Sequence, residues 1–229
     1  RRHHMPPLAH LDPITGAVIR GSQASRRRYE RQRPGELIHI DVKKIGKIPA
    51  GGGWRMLGRA IGSRNAQADK ISGMLRPCRK PVRGYHFLHT AIDDHSRPAY
   101  SELLADERKD TAAAFWIRAD AWFASCGITV TKVLTDNGSC YRSHTFADAL
   151  GDIVHKFTRP YRPQTNGKVE RFHRTLADEW AYARLYTNDA ERCDAFTDWL
   201  HTYNHHRGHT ALGGQPPASR VINLCGQNS

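Results

Sequence analysis

The sequence predicts an α/β fold, a mixed sheet with helices packed against it. Three observations carry that expectation. Short β-rich runs stand at 37–42, 85–92, 98–104, 128–135 and 153–158. Stretches of helical periodicity alternate with the later runs and then follow them. The 229 residues are enough for one compact domain with arms, and no apolar run is long enough for a membrane span.

Residues 1–35 come first, with Arg26, Arg27, Arg28, Arg31 and Arg33 and little that could join a core. They read as a basic arm or linker. The first strand follows at Leu37–Val42 (LIHIDV), with Asp41 at its end. Residues 43–84 hold 11 Lys/Arg and one acid, Asp69, with Gly51-Gly52-Gly53 and several prolines. Such a stretch cannot fill a hydrophobic core, so it reads as a long basic insertion, a β-hairpin with flexible tips.

Tyr85–Ile92 and Pro98–Leu104 read as two strands joined by a turn at Asp93-Asp94-His95-Ser96. Asp110 is placed to cap a helix running to about Ala124, with Phe115, Ala119, Trp122 and Phe123 on its buried side. Ile128–Thr135 is a further strand, ending at Asp136-Asn137-Gly138. Ser143 can cap a short helix to Leu150, and 153–158 is another strand. Pro160 and Pro163 hold off a helix until about Asn166. From there Val169, Phe172, Leu176, Trp180 and Ala183 recur at steps of three and four, which predicts a long amphipathic helix. A last helix is expected from about Ala190 to His205.

The net charge is +13, and it is lopsided. Residues 1–84 hold 19 Lys/Arg against 5 Asp/Glu, whereas 85–229 hold 16 against 17. An excess of this kind points to a polyanionic partner, nucleic acid before membrane. Five scattered cysteines (Cys78, Cys126, Cys140, Cys193, Cys225) without a CxxC pair suit a reducing cytosol and argue against a structural zinc site. No signal peptide is evident, and a start at Arg1 rather than Met reads as a fragment or processed chain.

Three carboxylates stand out by position. Asp41 and Asp136 end strands, and Glu170 lies in the first turns of the long helix, where an α/β sheet presents side chains to a cleft. Gathered together they would repel, and a divalent cation would relieve that. Oxygen-only ligands favour Mg²⁺ or Mn²⁺ over zinc. Two such ions about 3.5–4 Å apart promote in-line phosphoryl displacement. Each carboxylate alone is equally well a surface acid or a helix cap; the combination carries the reading.

The stretches HID (39–41), LTDNGSCYRS (134–143) and RPYRPQTNGKVERFHRTL (159–176) resemble the catalytic core of retroviral-integrase-type DDE transposases, the enzymes of bacterial insertion sequences. Thirty-three residues separate Asp136 from Glu170, close to the spacing in that family. Flanking stretches FLHTAIDDHSR (87–97) and YNHHRGHTALGG (203–214) extend the resemblance over 36–218, leaving 219–229 as a C-terminal tail.

The resemblance implies an RNase H-like fold, with Asp41, Asp136 and Glu170 as the catalytic triad holding two Mg²⁺ ions. It implies cleavage at transposon ends and attack of the freed 3′-hydroxyl on target DNA. It also implies a homodimer or larger multimer on DNA, in the bacterial cytoplasm at the nucleoid. Where the family has RPH, this chain has Arg207-Gly208-His209, and the helix-turn-helix that precedes such cores is not in this sequence. A non-catalytic DNA-binding remnant and a hydrolytic nuclease of the same fold are the competing readings.

Candidate DNA contacts follow from charge and position. Arg26, Arg27, Arg28, Lys43, Lys44 and Arg55 lie in the basic stretches and are expected to clamp phosphates. Lys168, Arg171, His173 and Arg174 surround Glu170 on its helix; Arg174 equally suits a Glu–Arg surface pair. Gln164 to Gly167 form a polar loop beside them. Asp93 and Asp94 are rival carboxylates, but their place before His95-Ser96 favours a turn. His201, His205, His206 and His209 lack a partner to complete a zinc set. Trp116, Trp122, Trp180 and Trp199 are expected in the core, and Trp54 is the tryptophan available to DNA.

Overall fold

The first β-rich run extends further than its sequence signal. In the computed structural model, which describes residues 30–74, 84–158 and 166–221, β1 spans Ile38–Gly46. It pairs along its whole length with β2 (Tyr85–Asp93), antiparallel, from Ile38 opposite Asp93 to Gly46 opposite Tyr85. β3 (Ala99–Leu104) pairs antiparallel with β2. β4 (Lys132–Thr135) runs parallel to β1, and β5 (Val154–Phe157) parallel to β4. The five-stranded order is β3-β2-β1-β4-β5.

Pleating sorts the side chains into two layers. Ile38, Ile40 and Ala91 face α2 (Lys109–Ser125) and α3 (His144–Leu150), where Phe115, Trp116, Ala119, Phe123 and Phe146 are buried. Ile45, Leu88 and Ile92 face the opposite layer, built by α4 (Gly167–Leu176) and α5 (Asp189–His205) with Val169, Phe172, Leu176, Phe196 and Tyr203. The sheet is therefore covered on both faces. Trp116 and Trp180 are fully buried and Trp122 and Trp199 pack against the two cores, as expected.

Several expectations need correction. The basic stretch is not a β-hairpin: its first residues extend β1, and α1 (Trp54–Met74) fills most of the rest. Composition hides α1 because a helix lying outside the core needs few apolar residues. Its helix breaks at Gly58 (φ 79, ψ 164), a left-handed conformation that favours glycine. Asp41 consequently sits within β1, not at its end. The strand expected from Ile128 is regular only from Lys132.

Helix α2 starts after Arg108, so Asp110 lies in its first turn and does not cap it. Ser143 does cap α3, its Oγ accepting from the Phe146 N–H at 3.1 Å. The long helix ends at Leu176 and passes into a π-helical turn, Ala177–Ala181, which buries Trp180 and Ala181 and leaves Ala183 exposed. At the C-terminal end Ala218 and Val221 pack into the first core cluster, so core contacts run past residue 218 into the stretch expected as a tail. Arg26, Arg27, Arg28, Gln164 and Thr165 lie outside the described residues.

Candidate active site

The strand register explains how two carboxylates meet. His39 of β1 lies beside Leu134 of the parallel β4, so two residues onward Asp41 and Asp136 reach the same level on the same face. That face is the one covered by α4, whose first turn carries Glu170. Asp41 registers the assembly: burial first, and then the charges of Asp136 and Glu170, raise its pKa to about 6. The structure therefore brings Asp41, Asp136 and Glu170 together. A cleft lined by Asp41, Lys43, Glu170, His173 and Arg174 opens beside them.

Asp136 is held by its own turn. Asp136 Oδ1 accepts from the Gly138 N–H at 2.8 Å, and a Cβ at position 138 would lie 2.9 Å from that oxygen. The sharp turn is fixed further by Asn137 Nδ2 on the Thr158 carbonyl at 3.0 Å. The TDNG stretch is thus a turn folded onto its own carboxylate.

His173 does not reach toward solvent. It is 5% exposed, its Nε2 lies 3.3 Å from Thr90 Oγ1, and its Nδ1 is 3.6 Å from Asp41 Oδ2. Burial, with a small push from Lys43, lowers its pKa to about 3, so the imidazole is neutral and its contact with Asp41 is not an ion pair. Thr90 is the cross-strand neighbour of Asp41, so His173 packs α4 onto that strand pair.

The start of α4 is tied down by a buried polar network. His39 Nδ1 lies 3.1 Å from Asn166 Oδ1, and His39 Nε2 lies 2.8 Å from Asp94 Oδ1. Lys168 bonds the same Asp94 oxygen, and the Arg31 N–H donates to the other at 2.6 Å. Burial opposes ionisation of Asp94, but hydrogen bonds from His39, Lys168 and Arg31 outweigh it and hold the carboxyl well below the usual carboxylate range. Asp93 accepts from Gly35, His95 and Ser96. Both rival carboxylates are therefore structural, as the turn reading expected. Lys168 is committed to Asp94, whereas Arg174 stays exposed at the cleft and Arg171 is exposed next to Glu170 in the chain.

Lys43 is exposed at the cleft, and Lys44 pairs with Glu107 at 2.5 Å. Arg55 stacks over the Tyr182 ring at 4.0 Å, beside Trp54, which is 57% exposed. These residues border a cavity of about 750 Å³ that shares Lys43, Lys44 and Ala177 with the carboxylate cleft. Lys47 and Arg184 add charge to it.

Residue-by-residue reading of the sequence misses the roles of His39 and Tyr141, and Asn166, expected in a polar loop at the DNA, instead meets His39. Tyr141 is 3% exposed, its hydroxyl has no partner among the described residues, and the charges of Asp41 and Asp136 bear on it. The donor set suits a hard divalent cation. It consists of carboxylate oxygens, with Asp41 raised by burial and then by the charges of the other two, and beside them a hydroxyl without a partner among the described residues.

Comparison with known proteins bears on the same region. The sequence profile of the family described as Integrase core domain matches residues 31–163, and a second profile of that description matches 151–217. The chain belongs to the integrase core domain family. Among relatives of this integrase core, an ORF3 product of Spiroplasma virus SpV1-C74 carrying an integrase name is 28% identical over 65% of the chain and 45% of its own length. The insertion element IS476 39.2 kDa protein of Xanthomonas euvesicatoria is 32% identical over 58% of the chain and 38% of its own length. The chain thus spans less than half of either relative. A chain in the cryo-EM structure of the simian T-cell lymphotropic virus intasome with PP2A regulatory subunit B56 gamma matches the fold at a TM-score of 0.53. That match is 17% identical and covers 84% of this chain and 56% of the other. The architecture is RNase H-like, as the resemblance implied. Among the described residues no helix is long and apolar enough to cross a membrane.

Proposed function

We propose that this integrase core is the catalytic part of an insertion-sequence DDE transposase. It cuts at transposon ends and joins the freed 3′-hydroxyl to target DNA, acting as a homodimer or larger multimer. The observation that supports this reading is the convergence of Asp41, Asp136 and Glu170 on one face of the sheet, with Asp41 raised by burial and then by both of the others.

Asp41, Asp136 and Glu170 would hold the divalent cations, Mg²⁺ or Mn²⁺. When bound, a cation pair supplies Lewis acidity and charge neutralisation for an in-line phosphoryl displacement. The chain's own groups do the rest. The Gly138 N–H orients Asp136, and the neutral His173 fills the space behind Asp41 without adding a charge. The His39–Asp94–Lys168 network fixes the turn of α4 that carries Glu170. Arg171, Arg174 and Lys43 offer cations to the phosphates flanking the reacting one.

A joining assay with pre-cut ends, a target duplex and Mg²⁺ tests the proposal, on this chain and on a longer one with upstream residues restored. Joined product lost in Asp136→Asn, with DNA binding retained, is the expected result. Nicked but never joined product would favour the hydrolytic nuclease. Joining by Asp136→Asn at the normal rate would remove Asp136 from the catalytic set.

A further inference from the structure

Beside Ile48 and Arg192, which line the basic cavity, three metal-ligating side chains from distant parts of the sequence meet. His86 stands near the start of β2, and Asp189 and Cys193 stand one helical turn apart in the first turns of α5. Their ligand atoms all lie within 4.8 Å of one another. His86 Nε2 is 2.5 Å from Asp189 Oδ2 and 3.6 Å from Cys193 Sγ. The side chains of His86 and Asp189 are 20% and 21% exposed, so the cluster is neither sealed nor freely solvated.

We propose that His86, Asp189 and Cys193 form a binding site for a borderline-soft divalent cation of the Zn²⁺ class, separate from the three carboxylates. Ligand chemistry sets the class: an imidazole nitrogen, a thiolate and one carboxylate oxygen suit zinc, whereas Mg²⁺ prefers oxygen alone. Spacing agrees. Tetrahedral zinc with bonds of about 2.3 Å to sulfur and about 2.05 Å to nitrogen places those two atoms about 3.6 Å apart. The nitrogen–oxygen pair would open to about 3.4 Å, a small side-chain adjustment.

The surroundings are arranged as a metal site needs. Asp189 uses its other oxygen, Oδ1, to accept from Arg192 Nη2 at 2.8 Å and from the Ile48 N–H at 3.2 Å. That leaves Oδ2 for the cation and fixes the carboxylate's orientation. Arg192 is 1% exposed and also donates to the Gly46 carbonyl at 2.9 Å, so it cannot swing over to cover Oδ2. In the absence of metal, burial pushes the Cys193 thiol up and favours its protonated form. Binding therefore releases a proton as the thiolate forms. Three protein ligands leave a fourth position for water.

The consequence is mechanical. A cation held here bolts the first turn of α5 to the paired ends of β1 and β2, the strands that border the basic cavity. No local pattern announces the cluster, because Cys193 has no neighbouring cysteine and His86 lies 103 residues from Asp189.

Cobalt provides the probe, since a thiolate bound to Co²⁺ produces a charge-transfer absorption that carboxylates and imidazoles do not. The expected result is a saturable thiolate band at one equivalent of Co²⁺, displaced by Zn²⁺ and not by Mg²⁺. Cys193→Ser should lose the band, and Asp136→Asn and His205→Ala should keep it. On the unaltered protein, Zn²⁺ should slow alkylation of Cys193, read by peptide mass spectrometry, at least tenfold. No thiolate band, an equal band in Cys193→Ser, or Cys193 alkylation indifferent to Zn²⁺ would each overturn the proposal. All three readouts are independent of DNA joining, so they stand or fall separately from the catalytic reading.

Discussion

His39 on β1 and Asp94 in the turn after β2 are joined at 2.8 Å, both side chains essentially inaccessible to solvent. Through Lys168 and Asn166 the same pair reaches the start of α4, where Glu170 stands. Removing the charge of Asp94 puts a neutral amide where Lys168 and His39 now share an ionised acceptor. Asp94→Asn should cost about 3 kcal/mol of stability at pH 7, the usual scale for breaking a buried pair. Because the folded protein lowers the pKa of Asp94, its contribution is complete above about 3.8 and declines as pH falls from there toward the lowered folded value. The stability gap between the two proteins should therefore narrow in acid. Chemical denaturation at pH 7 and at about pH 3 measures it, and a gap that does not narrow would dismiss Asp94 as an ionic anchor.

Asp41 behaves in the opposite sense. Its folded pKa of about 6 lies above the ordinary 3.8, so without metal its ionisation works against the fold at neutral pH. Asp41→Asn should be more stable than the metal-free parent at pH 7.5 by about 1–3 kcal/mol, at ~1.4 kcal/mol per pH unit. The advantage should shrink as pH falls through about 6 and vanish below about 4. Melting curves in EDTA across that range provide the check. A destabilised Asp41→Asn at pH 7.5 would show that neither burial nor the neighbouring carboxylates penalise the ionised Asp41.

These two residues show what a sequence can and cannot reveal. Asp41 is legible because a β-rich run, a strand-end TDNG and an NGKVER helix start are local signals, each visible within a few residues. Its place within the strand is not, because Lys43 and Lys44 look like loop and yet continue β1 opposite Leu88 and Phe87. The Asp94–Lys168 pair is illegible: 74 positions separate its members, and nothing local distinguishes a lysine that grips phosphate from one that grips a buried carboxylate. Helix α1 is hidden for a related reason, since Trp54, Met56 and Ile61 remain exposed and present no core-facing pattern.

Gly138 gives a test of geometry alone. An added methyl would come within 2.9 Å of Asp136 Oδ1 while leaving every charge in place. Gly138→Ala should keep its stability within about 1 kcal/mol, yet lose about 10–100-fold in joining rate, the usual scale for disturbing a group that orients a metal ligand. Raising the Mn²⁺ concentration should recover part of the loss. A variant that joins DNA at the parental rate would mean that the turn tolerates a shifted carboxylate.

The basic arm and the basic cavity should separate by their salt response. If Arg26, Arg27 and Arg28 clamp the DNA backbone they do so through counterion release, so neutralising them should flatten the plot of log affinity against log salt by up to ~0.9 for each phosphate no longer neutralised. Trp54 offers a ring instead of a charge, 57% exposed and 6.0 Å from the Arg55 guanidinium. Trp54→Ala should weaken binding of single-stranded DNA by about 1–3 kcal/mol at every salt concentration, with the slope preserved, because stacking displaces no counterions. Fluorescence anisotropy with labelled single-stranded and duplex DNA at several salt concentrations tells the two apart. If Trp54→Ala changes the slope and leaves the intercept alone, the ring is not a stacking platform and the cavity binds phosphate only.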